Sequence, residues 1–128
     1  MEKRCMKRNE DNVVANKSYV FALRIVKLYK FLTSKHKEFI LSKQVLRSGT
    51  SIGAMVRESE HAQSKADFIH KMSIALKEAN ETQYWLMLLK DSDYISKASF
   101  NSIQPEASEL IKLLASIVKT SKNNLNTK

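Results

Sequence analysis

Apolar residues recur at helical spacing along nearly the whole chain. Residues 44–58 read QVLRSGTSIGAMVRE, and Leu41, Val45, Ile52 and Met55 or Val56 fall on one helical face, with small Ser48 in the same seam. The chain's two glycines, Gly49 and Gly53, lie four apart inside this stretch and are flanked by Ser48, Thr50, Ser51 and Ala54. Positions four apart share a face, so the helix carries a strip almost free of side-chain bulk. Glycine costs a helix interior about 1 kcal/mol against alanine, and close packing against a neighbour offsets that cost. Gly49 and Gly53 therefore mark a close-packing face. The spacing predicts a helix over 38–62, with a break near 47–49 as a variant, and this is the helix against which the others pack.

Three more helices follow from the same pattern. Residues 19–34 carry two seams, one of Tyr19, Ala22, Val26 and Tyr29 and one of Phe21, Ile25, Leu28 and Leu32, with Asn16 or Ser18 as the N-cap. Two seams imply burial over a wide arc, wider than one bundle contact needs. Ser64 is the N-cap of the third helix, and Asp67 completes a capping box. Its seam is Phe68, Met72, Ala75, Ala79, Thr82, Leu86 and Leu89. The fourth helix starts near Ser99 or at Gln104 and Pro105, since proline fits a first turn, and its seam is Ile103, Ala107, Leu110, Leu114 and Ile117. Short polar links join the four. The fold class is all-α, an antiparallel up-down-up-down four-helix bundle. Residues 1–15 are expected as a flexible basic N-terminal arm, 16–122 as the bundle domain and 123–128 as a polar tail.

Composition fits this reading. The chain has 128 residues, two glycines and one proline, and is 43% apolar, which suits helices joined by turns. With one cysteine, Cys5, no internal disulfide can form. No apolar run approaches the ~18 residues of a membrane span, and no signal-peptide core follows the basic start. A cytoplasmic location is the default expectation.

Charge adds a partner. There are 22 Lys and Arg against 13 Asp and Glu, a net charge of +9. Such a balance can serve solubility alone, but here it is uneven: residues 63–91 hold four lysines and four acids, while 18–34 hold three cations and no acid. A polyanion, RNA or DNA, is the expected partner. Arg24, Lys27 and Lys30 are the first candidates for phosphate contact, with Lys17, Arg57, Lys65 and Lys71 behind them.

Catalytic signals are weak. The glycines form no phosphate loop, because they sit within a helix. Cys5 reads as a plain thiol. Glu58 with His61 and Asp67 with His70 have the carboxylate-x-x-His spacing of di-iron bundles, but residues 19–34 offer no Glu or Asp to complete such a set. No metal and no cofactor is expected. Tyr19, Tyr29, Tyr84, Trp85 and Tyr94 read as core or subunit contacts rather than base-stacking platforms. Arg47 and Glu78 read as a structural ion pair, within or between subunits, with phosphate contact by Arg47 as the runner-up.

The stretch RSGTSIGAMVRE, followed by AQSKADFIHKMSIALKEANETQYWL, resembles the family of four-helix-bundle proteins encoded by intervening sequences of 23S ribosomal RNA genes, whose relatives are widespread in bacteria. The matching positions are Arg47-Ser48, Ser51-Ile52, Met55 to Glu58, Phe68, and Ala75 to Glu78, with Glu81 as a second acid. Met55 replaces the family's usual Asn, and Ser59 stands where the family has Gly, which suggests a helix that continues further before turning. The resemblance covers most of the chain. It implies a four-helix bundle, a ring-like homo-oligomer that is a homopentamer, and a basic surface. It also implies kinship with the accessory protein of diversity-generating retroelements, which binds nucleic acid and a reverse transcriptase. No enzymatic activity comes with it. The expected function is a non-enzymatic, homo-oligomeric scaffold that binds RNA or DNA through phosphates without sequence specificity. The alternative is a protein-interaction adaptor for a reverse transcriptase or another nucleic-acid enzyme.

Overall fold

The structure is a computed structural model that describes the backbone over residues 8–126 and side chains over 13–125. Among the described residues there are four helices and no strand: α1 Arg8–Lys35, α2 Leu41–Ser59, α3 Lys65–Asp91 and α4 Lys97–Asn126. They form a four-helix bundle. α2 packs along both α1 and α3, and α3 along α4, whereas α1 and α4 touch much less. No helix among the described residues is long and apolar enough to cross a membrane.

α1 starts at Arg8, well before residue 19, so residues 8–15 of the expected arm are helical. The rest of that arm, Cys5 included, lies outside the described residues. Neither Asn16 nor Ser18 is an N-cap. The missed signal is Val14, which is fully buried and continues the seam of Phe21, Ile25 and Leu32 back through small Ser18. The Ser18 hydroxyl donates to the Ala15 carbonyl within the helix, at 3.1 Å. Glu10 and Asp11 thus belong to α1, and the statement that the first helix lacks acids holds only for its later part. Its other seam is half-buried at Ala22, Val26 and Tyr29 and exposed at Tyr19.

α2 is continuous through residues 47–49 and ends at Ser59, short of 62. Bonds from Glu60 N to Arg57 O and from His61 N to Glu58 O tighten its last turn. Ser59 itself is buried, with its hydroxyl on Val56 O at 2.6 Å, so the helix does not run on past the position where the family has glycine. The two glycines differ. A Cβ at Gly49 would come within 2.7 Å of Ile25 Cγ1 in the core, whereas at Gly53 the nearest atoms, the Ser18 carbonyl and hydroxyl oxygens, stand at 3.4 Å. Only Gly49 needs its missing side chain.

In α3 every residue of the predicted seam is buried. Ser64 Oγ accepts from Asp67 N at 3.1 Å, and the Asp67 carboxylate accepts from Gln63 N at 3.0 Å. α4 begins at Lys97 rather than near 99 or 104, because Ser96 caps it by accepting from Ser99 N at 3.0 Å. Pro105 therefore sits inside the helix. α4 also runs on to Asn126, through four positions assigned to the polar tail.

Candidate nucleic-acid interface

The link between α1 and α2 is built by Lys37 and Glu38. Lys37 adopts a left-handed conformation, φ 52°, which turns the chain after α1, and Glu38 N then bonds back to Leu32 O at 3.0 Å. The Glu38 carboxylate faces the start of α2, where it accepts from Ser42 N at 2.7 Å, Leu41 N at 2.9 Å and Ile40 N at 3.2 Å. Partial burial pushes this carboxyl up, but the backbone hydrogen bonds outweigh it, and the net shift is below the ordinary carboxylate value.

That capping role has an electrostatic consequence. Residues 27–43 carry five lysines, Lys27, Lys30, Lys35, Lys37 and Lys43, and a single acid, Glu38. All five are exposed, and none forms an ion pair among the described residues. The one carboxylate within 27–43 bonds backbone N–H groups rather than a lysine, while the α3–α4 link at the same end adds Asp91, paired with Lys90, and exposed Asp93. Beside them, His36 lies edge to face with both Phe31, at 5.2 Å between ring centres, and Tyr94 of the α3–α4 link, at 5.6 Å. The two links thus meet at one end of the bundle.

The family model described as 23S rRNA-intervening sequence protein matches residues 10–116. The chain belongs to that family. It is also similar to a solved structure from Bacteroides thetaiotaomicron VPI-5482, a protein with unknown function from the S23 ribosomal protein family. The two are 61% identical over 86% of this chain and 98% of the other, with a TM-score of 0.84. No curated protein matches the chain.

The expected phosphate contacts divide into two groups. Lys17 sits 3.2 Å from Glu109, and Lys71 sits 3.2 Å from Glu58. Arg24 bonds Glu106 at 2.7 Å and also the Ser102 carbonyl and hydroxyl. These three side chains meet acids of their own chain. Lys27, Lys30, Arg57 and Lys65 are exposed and form no ion pair among the described residues. Lys35, Lys37 and Lys43, which belong to no helical-face pattern of cations, are exposed as well. The signal available in the sequence was the five-to-one ratio over 27–43.

The motif residues of the family meet across α2 and α3. Arg47 Nη1 lies 3.2 Å from Glu78 Oε1, and Nη2 bonds Glu81, which also accepts from Trp85 Nε1 at 3.0 Å. The Glu78 side chain is only 13% exposed, so the guanidinium neutralises a largely buried acid. Next to it, Thr82 Oγ1 bonds Ser48 Oγ at 2.9 Å in the core. Glu58 and Asp67, considered above as metal ligands, are engaged by Lys71 and by Gln63 N. Among the described residues no three His, Cys, Asp or Glu side chains cluster as a metal site.

Proposed function

We propose that this chain is a non-enzymatic scaffold that binds RNA or DNA through the phosphate backbone, without sequence specificity, at the bundle end formed by the α1–α2 link. The observation that carries this reading is the group of five exposed lysines over 27–43, none in an ion pair among the described residues, with the one acid of that stretch bonded to the start of α2. Lysines placed this way can neutralise the phosphates of a polyanion, and that releases the counterions condensed on it. Phosphate contact of this kind carries no base information.

The proposal includes self-association as a ring of up-down bundles, a homopentamer by family resemblance. The up-down course is supported by the order of pairs between α1 and α4: Lys17 meets Glu109, and the later Arg24 meets the earlier Glu106. Association is supported by Val13, Tyr19, Val20 and Leu23 of α1, which are between 41% and 58% exposed. Light scattering at micromolar concentration should report an oligomer, and a monomer alone removes this part. A filter-binding titration with a mixed-sequence RNA at rising salt tests the main reading. Retention at low salt that falls steeply with ionic strength is expected, and no retention at low salt overturns it.

A further inference from the structure

α1 and α4 touch little, and near the α1–α2 link the seam between them is lined by Lys27, Leu28 and Phe31 of α1 and by Ser99 and Ile103 of α4. There it forms a trough of two adjoining hollows, about 670 and 340 Å³, which share Phe31 and Ile95. Phe31 is 41% exposed, and with His36 and Tyr94 it makes a chain of three rings set edge to face at 72° and 86°. Phe31 and His36 are exposed and Tyr94 is half-buried, packed in part against the core, so a planar guest can lie on the ring surface left open to solvent. The rim carries Lys27 and Lys97, both exposed and without an ion pair among the described residues.

The trough also holds two acids. Asp91 is paired with Lys90 at 3.5 Å, while the Asp93 carboxylate has no partner among the described residues. Carboxylates repel a phosphate but accept hydrogen bonds from the amino groups of bases. The hollow therefore suits the base, and the lysines around it suit the chain of phosphates. A duplex keeps its bases stacked and paired, which leaves single strands as the fitting guest.

We propose that this trough takes unpaired bases of a single-stranded nucleic acid and stacks them on Phe31, His36 and Tyr94, while Lys27, Lys97 and the link lysines hold the flanking phosphates. Stacking of this kind tolerates any base, and the carboxylates can accept from adenine, cytosine or guanine alike, so the trough deepens the phosphate-binding reading, on which it rests, without reading a defined sequence. The test is fluorescence anisotropy at low salt with the full chain and three labelled probes of about 12 nucleotides, a length within single-strand site sizes. These are an RNA strand, the DNA strand of the same sequence, and an abasic strand with the same number of phosphates. The strands with bases should bind roughly 5- to 100-fold tighter than the abasic one, and the tighter of the two identifies the preferred sugar. His36→Ala and Tyr94→Leu should each remove most of that difference, and Tyr94→Phe should keep it. Equal binding of all three probes, unchanged in the variants, overturns the stacking claim and leaves phosphate binding standing. No binding of any probe overturns both.

Discussion

The two ends of α2 differ in electrostatics, although both are helix-to-helix turns of similar length. Around the α1–α2 link, residues 27–43 hold five lysines and one acid. Around the α2–α3 turn, residues 57–71 hold three cations, Arg57, Lys65 and Lys71, and three acids, Glu58, Glu60 and Asp67. The second end is balanced internally, with Lys71 on Glu58. At the first, the one carboxylate of the stretch is turned inward to a helix start, and the α3–α4 link adds Asp91 and Asp93 beside His36. The excess of cations is thus larger at the first end than at the second.

The largest expected effect is on binding. Replacing Lys35, Lys37 and Lys43 together with Gln should weaken RNA binding about 10- to 100-fold near physiological salt and flatten the salt dependence by roughly two to three phosphate contacts. Arg57→Gln with Lys65→Gln should change it only a few-fold. Equal losses at the two ends, measured by filter binding, would break the comparison.

Packing follows the same axis. Gly49 lies against Ile25, and Gly49→Ala should cost about 1–3 kcal/mol by overfilling that contact. Gly53 lines a hollow of about 620 Å³ with Tyr19, Ala22 and Ala54, so Gly53→Ala should be neutral or gain up to about 1 kcal/mol from helix propensity. Urea unfolding of the two variants separates these outcomes, and a similar loss in both would sink the distinction.

Ion pairs sharpen it further. Arg47→Ala leaves Glu78 uncompensated at low exposure and should cost about 1–3 kcal/mol. Lys71→Ala, at an exposed pair, should fall within about 1 kcal/mol of the parent. Thermal melts of both variants at equal ionic strength check the contrast.

The smallest effect concerns Glu38. Its folded-state value is depressed, so its contribution is present above the reference value of 4.5 and is lost as the pH falls through the lower folded value. Glu38→Gln should lower stability by about 0.5–1.5 kcal/mol at neutral pH, with a shallower loss below pH 4.5 than the parent. Parallel acid-unfolding curves for the two proteins would contradict the assignment.

Much of this molecule was legible before its structure. The seam of α3 from Phe68 to Leu89, the Ser64 cap and the glycine-bearing face of α2 depend only on neighbours within one helix, and helical periodicity records those directly. The family signature lies in the same stretch. Helix ends were harder to read: the inconspicuous Ser96 caps α4 ahead of Pro105, and the buried Val14 lies within a charged stretch that belongs to α1.

What the sequence by itself determined is a set of four amphipathic helices, their main seams and a cationic excess. Only the tertiary structure decided which cations remain uncompensated. Lys17, Arg24 and Arg47 meet acids 31 or more positions away, and such meetings depend on how two helices are set side by side, a relation absent from the pattern of either helix alone.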